Sequence, residues 1–600
     1  MSALAAKLLG LLDRRDRWKA GLLVGLMLAS ALVQTLGVAA VMPFLSVVAN
    51  PEVIHTNDRL QTAYQWLEFE DEKSFLMLLG VLAFIVFVTG TFLQAATQWA
   101  ITRFSHMRQY GLSRRLMVDY LRRPYSFFLN RNASDLAKTV LTETTQVVTG
   151  ALLPAFRLLS HGVLAVALIT LLIAIQPQLA FIVAVSLGSV YGAIYLISNR
   201  WLERMGMQRL QSNRKRFSAV SEAFAGAKEI RLLGRERAYL ERFQTPARHF
   251  ARTQANAQIL GQTPQYVIEG LAFGGVLALV LVLMAGEGGL QQALPLIGVY
   301  ALAAKKLIPA FQTIFAAFAA LRFAMPAVDN LLQDLGDHPG SSPLPDARSL
   351  PATLAPEREI RLEEISYRYP EAKEFALTHI SLTIPARTTI GLVGSSGAGK
   401  STLVDLMLGL LQAESGRIMI DGQPLGKGNF RQWQAAVGYV PQHIFLSDES
   451  VAANIALGIP KEEVDRKAVE QAAQLANLHE FILNELPAGY DTEIGDNGVR
   501  LSGGQRQRIG IARALYRDPP VIVFDEATSA LDNATERAVM DAVYNLSSQK
   551  TIILIAHRLS TVRACDRIFV LGEGRVLEEG TWEELNSDGE HFQRLAAHAS

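Results

Sequence analysis

Three stretches of this 600-residue chain carry no Asp, Glu, Lys or Arg: residues 20–51, 75–102 and 158–199. A helix needs about 20 apolar residues to cross the hydrocarbon core of a bilayer, so the first two stretches each fit one spanning helix. The third is long enough for two, and Gln176-Pro177-Gln178 supplies a polar break for a hairpin. Two further apolar stretches, near 263–285 and 290–321, are interrupted by Glu269 and by Lys305-Lys306. The pattern predicts a polytopic α-helical membrane domain with six transmembrane helices. Only 19% of the residues are charged, against about a quarter in soluble globular chains, which argues against disorder and against an all-soluble protein. A net charge of +1 removes the whole-chain electrostatic case for nucleic acid, and no nucleic-acid partner is expected. The single cysteine, Cys565, excludes an intrachain disulfide and cysteine-based metal clusters.

Loop charge sets the expected orientation. Residues 101–149 hold eight Lys/Arg against three acids, and 199–262 hold thirteen against five. Residues 49–74 hold two basic and six acidic side chains. The basic segments are therefore expected inside, with both termini, and 49–74 outside. Within that outer segment Leu60, Ala63, Tyr64 and Leu67 share one helical face, with Trp66 nearby. Such a helix either lies on the membrane surface or packs on its own protein.

Residues 336–356 contain five prolines among Gly, Ser and Asp, and read as a linker. Beyond it β-rich runs (360–369, 389–393, 417–420, 521–524, 551–555) alternate with helical ones, the pattern of a helix-flanked, largely parallel sheet. The expected organisation is a membrane domain over 1–335, with two long cytoplasmic helical extensions, a linker over 336–358, and an α/β domain over 359–600.

Gly394-Ser395-Ser396-Gly397-Ala398-Gly399-Lys400-Ser401-Thr402 matches the phosphate-binding loop G-x4-GK[ST], between an apolar strand and a helix. Its glycines let backbone N–H groups curl around phosphate oxygens at a helix N-terminus. Lys400 then meets the terminal phosphates, and Ser401 offers a hydroxyl to Mg2+. The run Val521–Phe524 ends in Asp525-Glu526. An aspartate at that strand tip holds the magnesium shell, and the next carboxylate orients or deprotonates an attacking water.

With these two motifs the chain resembles the ATP-binding cassette family over its whole length. Leu501-Ser502-Gly503-Gly504-Gln505 matches the family signature, Gln442 its Q-loop, Asp532 its D-loop and His557 its switch histidine. The resemblance implies that Tyr369 stacks on adenine, that Gln442 joins Ser401 and Asp525 around Mg2+, and that His557 contacts the γ-phosphate beside the base Glu526. Residues 492–498 resemble the loop that marks the family's exporters, with Asp496 where Glu is usual. One cassette and six spans are half of the usual twelve, so the resemblance implies a homodimer. Lys400 of one copy and Ser502 of the other would then enclose one ATP. Residues 123–135 and 223–237 resemble the two coupling regions.

The cargo is read from charge in the spans, which costs about 2.5–3.5 kcal/mol per residue and generally faces protein or water. At 1.5 Å per residue, Lys305 lies about 22 Å from the outer end of its span and Glu269 about 10 Å from the inner end of its own. Two readings compete: Glu269 pairs with a lysine, or Arg157, Lys305 and Lys306 line a cavity for an amphipathic substrate with an anionic head group. The basic cavity, outer amphipathic segment and first coupling region resemble those of flippases of lipid-linked oligosaccharides, carriers of polyprenyl pyrophosphate glycans. The expectation is ATP-driven flipping across the cell (inner) membrane; lipid A-type lipid, drug and peptide export are the alternatives. A soluble cassette ATPase and an importer fit less well with six fused spans.

Overall fold

The computed structural model is described for residues 2–284, 289–336, 352–426, 428–495, 498–526, 533–544, 546, 549–556 and 558–599. Its contacts divide the chain into two compact units, Met1–Arg123 with Arg131–Ser342, and Pro124–Asn130 with Pro343–Ser600. Much of the expected linker (337–351) lies outside the described residues.

The first unit is built of long helices: α1 (Arg14–Ala39), α2 (Glu72–Arg122), α3 (Leu153–Ile175), α4 (Pro177–Ala225), α5 (Glu236–Met284) and α6 (Gly289–Gly336). The break expected at Gln176 is where α3 gives way to α4: Gln176 is extended (φ −151°, ψ 93°) and Pro177 opens the next helix, where its missing N–H costs nothing. Among the described residues four segments are long and apolar enough to cross a membrane: Arg14–Ala49, Glu72–Arg122, Ala133–Ile175 and Ile297–Gly336. α1 and α2 approach closely at Gly37 and Gly90. A Cβ at Gly90 would stand 3.3 Å from the Gln34 Cα, and one at Gly37 3.3 Å from the Phe87 Cα. Small residues permit such backbone approach between membrane helices. Leu32, Phe84, Phe92 and Val166 point outward and are exposed.

Within residues 49–74 the chain forms the helix Asp58–Trp66, capped by the Asn57 side chain on the Arg59 and Leu60 amides. Leu60, Ala63 and Tyr64 pack on buried Val47, Ile54 and Phe75, and the Tyr64 ring meets Phe75 edge-on at 5.3 Å. Three of the four residues of that apolar face pack on the protein itself, while Leu67 and Trp66 remain exposed.

Deep in the same unit, Glu143 is 1% exposed on its side chain and pairs with Arg209 at 3.3 Å. Asn213 donates to its other oxygen at 2.9 Å. The Arg216 guanidinium lies 4.1 Å from the Phe250 ring and donates to Asn213. A buried carboxylate persists only when paired and fully hydrogen-bonded, and this network joins the segment before α3 to α4 and α5.

The second unit contains β1 (Glu359–Tyr367), β2 (Leu377–Pro385), β3 (Thr389–Gly394), α7 (Lys400–Met407), β4 (Ser415–Ile420), β5 (Gln423–Pro424), β6 (Val437–Val440), α8 (Gly503–Leu515), β7 (Val521–Asp525), β8 (Thr551–Ile555), β9 (Arg567–Gly572) and β10 (Arg575–Gly580). One sheet, in the order β10-β9-β3-β8-β7-β6, is parallel except for its β9–β10 hairpin. The runs near 360 and 417 do not join it. They pair antiparallel in a separate four-stranded sheet, β2-β1-β4-β5. Burial distinguishes the two: β7 and β8 are buried at every residue, as strands covered on both faces must be, whereas β2 alternates.

Candidate functional site

β3 runs between β8 and β9 and delivers the chain to the loop that opens α7. Gly397 and Gly399 have φ of +80° and +97°, a backbone region that side chains with a Cβ rarely adopt. A Cβ on Gly399 would stand 2.6 Å from Leu377 Cδ2, so the loop also needs glycine for space. Gly394, Ser395, Ser396 and Ala398 complete the turn, and Ala398 is buried. Lys400 arches over it, its ammonium donating to the Gly394 and Ser395 carbonyls at 2.8 and 3.0 Å. Burial draws that ammonium below its usual range, while the Glu526 and Asp525 carboxylates pull it back. Three things therefore fit a phosphate: the cradle, the α7 N-terminus and a cation held among acids.

Ser401, next on α7, is exposed. Thr402 is buried, and its hydroxyl meets the Tyr369 hydroxyl at 2.9 Å. Tyr369 is thus fastened to the helix that opens at the phosphate loop. Its ring also stands edge-on to Tyr367 at 5.1 Å.

Asp525 ends β7 and Glu526 follows it, with β8 between β7 and the β3 strand that leads into the phosphate loop. Asp525 is buried and accepts from the Tyr439 hydroxyl on β6 at 3.3 Å. Glu526 has φ +51°, and its N–H donates to the Ile555 carbonyl at 3.1 Å. Gln442, just after β6, donates from Nε2 to Glu526 Oε2 at 2.6 Å. Two residues distant in sequence, both expected at the site, thus meet directly. A magnesium ion keeps several waters and takes phosphate oxygens, so few protein ligands suffice. The Ser401 hydroxyl, the Asp525 carboxylate and the Gln442 amide oxygen are the hard oxygen donors that suit it.

The signature residues open α8. The Ser502 hydroxyl accepts from the Gln505 N–H at 3.3 Å, and the Gln505 side chain accepts from the Ser502 N–H at 2.7 Å. This capping box fixes the start of α8, with Gly503 and Gly504 in its first turn; Leu501 is buried just before it. Among the described residues no hydrogen bond joins Ser502 or Gln505 to the phosphate loop. His557, Asp532 and Asp496 lie outside the described residues.

Sequence reasoning missed Tyr439 and Asp405. Asp405 is pushed up to about 6 by burial and by the neighbouring Asp525 charge. Tyr439 is raised by burial and by Asp525. Only the position of Tyr439 in β6, three residues before Gln442, hinted at a role.

In the first unit, among the described residues, no ion pair joins the four charged candidates. Lys306 donates to Gln34 Oε1 at 2.9 Å and lies 5.3 Å from the Phe87 ring centroid. Lys305 and Glu269 are exposed and Arg157 is half-buried. Among the described residues Glu269 has no ion-pair partner. The region 223–237 forms a tip, with α4 ending at Ala225 and a short helix Ala227–Leu232 before α5. Phe224, Leu232 and Leu233 are exposed there.

A helical membrane unit and a P-loop ATPase unit in one chain define an ATP-driven transporter of the exporter type. The family model for the ABC transporter transmembrane region matches residues 24–294, and that for ABC transporter matches 377–529. The chain belongs to the ABC transporter family. It is similar to the ATP-dependent lipid A-core flippase of Alkalilimnicola ehrlichii, 32% identical over 492 residues covering 80% of each chain. The protein of the same name from Cupriavidus pinatubonensis is 33% identical over 498 residues covering 82% of each. An uncharacterized ABC transporter ATP-binding protein, y4gM of Sinorhizobium fredii, is 32% identical over 497 residues, covering 80% of this chain and 81% of its own. The solved structure of a bacterial Atm1-family ABC exporter with ATP bound superposes with a TM-score of 0.78 over 98% of each chain at 23% identity, a likeness of fold. The chain is an ABC exporter half-transporter whose ATPase domain couples ATP hydrolysis to transport.

Proposed function

We infer that this protein flips a lipid A-type amphipathic lipid across the inner membrane, as a homodimer with six spans per chain and the cassette and both termini in the cytoplasm. The observation that carries the reading is the similarity to the lipid A-core flippases over about four fifths of both chains. It favours lipid A-type cargo over the oligosaccharide lipid that the sequence first suggested. The basic loops 101–149 and 199–262 support the orientation.

In the cassette, Lys400 and the loop amides hold the phosphates, and Tyr369 offers its ring to adenine. Ser401, Asp525 and Gln442 would hold Mg2+, which would neutralise charge on the phosphates. Glu526, kept in place by Gln442 and its own N–H bond to Ile555, accepts the proton of the attacking water. Ser502 and the α8 N-terminus of the second copy close the nucleotide from the far side, and His557 and Asp532 complete the site. Arg157, Lys305 and Lys306 favour an anionic head group, since positive charge within apolar helices is retained where it meets a partner.

The test is ATP-dependent translocation of fluorescent lipid A in proteoliposomes, with a polyprenyl-pyrophosphate glycan in parallel and the double variant Lys305→Ala, Lys306→Ala beside wild type. Movement of lipid A alone, reduced in the double variant, supports the reading. Movement of the glycan alone restores the oligosaccharide lipid, and movement of neither leaves drug or peptide export.

A further inference from the structure

Three membrane helices from separate parts of the sequence enclose a cavity of about 240 Å3. α1 lines it with Ser30 and Gln34, α2 with Gln94 and Gln98, and α3 with Ser160 and His161. On their other faces the same helices expose Leu32, Phe92 and Val166. Polar groups in membrane helices are costly unless they meet a partner, so their convergence on one hollow calls for an occupant.

Part of the lining is already fixed. Gln34 accepts from Lys306 at 2.9 Å and donates to the Ser30 hydroxyl at 3.1 Å, which locks its amide in one orientation. The Gln98 amide N–H2 reaches Thr102 at 3.5 Å, which leaves its carbonyl oxygen to the cavity. The Thr97 hydroxyl donates to the Leu93 carbonyl at 2.7 Å, and three of the described lining groups are uncommitted. His161 Nδ1 is buried without a hydrogen bond, and among the described residues the Gln94 and Ser160 side chains make none.

We propose that this cavity binds a single sugar ring of a lipid head group. The proposal rests on the lipid cargo inferred above and deepens it. Amides, hydroxyls and an imidazole both donate and accept, which matches adjacent sugar hydroxyls. None of the described residues lining it carries a carboxylate that would attract a cation, and the nearby Lys306 ammonium is already bonded to the Gln34 amide oxygen. Met27, Ala31 and Leu164 complete the lining, apolar surface against which the carbon face of a sugar ring can pack. The volume equals about eight waters at ~30 Å3 each, the scale of one pyranose.

The experiment uses the full chain in nanodiscs, with Ser160→Cys as a reporter. The native Cys565 is buried and its thiol is pushed up to about 12 by burial, so it stays silent. Labelling by a small sulfonated methanethiosulfonate is timed in bilayers containing monoglucosyl diacylglycerol, diacylglycerol or phosphatidylethanolamine as probes. The expected result is labelling at least tenfold slower with the glucosyl lipid only, and loss of that protection in Gln94→Leu. Equal rates in all three bilayers would mark a water-filled chamber, and equal protection by phosphatidylethanolamine a pocket blind to sugar; either overturns the proposal. Gln98→Cys serves as reporter if Ser160→Cys does not assemble. Wild type that fails to move lipid A yet is protected by the glucosyl lipid would sink the cargo reading and leave the pocket standing.

Discussion

The nucleotide site and the intramembrane cavity are both assembled from polar groups, yet they are built in opposite ways. In the cassette, Gly394–Thr402 form one continuous stretch from the end of β3 into α7, and the remaining groups sit at the ends of adjacent strands: Gln442 after β6, Asp525 at the end of β7 and Glu526 just beyond it. In the membrane unit Gln34, Gln94 and His161 come one from each helix, with no local motif to announce them. A site set by backbone geometry concentrates its information in short segments. A site set by helix packing spreads it thinly, because one face of a helix takes only every third or fourth residue.

That contrast predicts where single changes do most harm. Glu526→Gln should lower ATP turnover by about 10²–10⁴-fold, the usual worth of a positioned base, and leave ATP bound. Near wild-type hydrolysis would move the base elsewhere. In the membrane unit the largest effect expected is on stability: Glu143→Ala leaves Arg209 buried and unpaired, at a cost of about 3–5 kcal/mol. Thermal unfolding checks this against Glu241→Ala, which removes the exposed pair with Arg237 and should change little. Equal shifts from both would mean that the Glu143 network does not hold the helices together.

Smaller effects sharpen the cassette side. Tyr369→Ala should weaken ATP binding by about 1–3 kcal/mol, the worth of one base–aromatic stack. Tyr369→Phe removes only the bond to Thr402, so titration with ATP should find it closer to wild type; the reverse order would make the hydroxyl, not the ring, the contributor. The smallest is a pH effect at Asp405. Its folded value of about 6 lies above the ordinary ~3.9 of an aspartate, so the folded state binds the proton more tightly. The ionised group therefore costs stability, a cost absent below about pH 4 that grows as pH rises to about 6. Asp405→Asn should raise the unfolding temperature at pH 7.5 and flatten its change across that window.

The legible parts of the fold were those with a period or a punctuation mark. The Gln176-Pro177 break could be read because proline restricts its neighbour and starts the next helix. The helix 58–66 could be read from its apolar spacing, but spacing alone left its face open between membrane and protein. Packing on Phe75 decided it. The strands near 360 and 417 read correctly as strands and wrongly as members of the parallel sheet, since a short apolar run does not state its partner.

Composition and motif by themselves determined that this chain has apolar helices joined to a phosphate-loop ATPase, because charge-free length and glycine-dependent backbone turns are local properties. Tertiary structure alone decided that Gln442 grips Glu526, that Tyr369 is tied to Thr402, that Lys306 bonds Gln34 rather than Glu269, and that three polar helix faces meet around one cavity. These are contacts between residues tens to hundreds of positions apart. They exist only once burial has brought the elements together, and no local period encodes them.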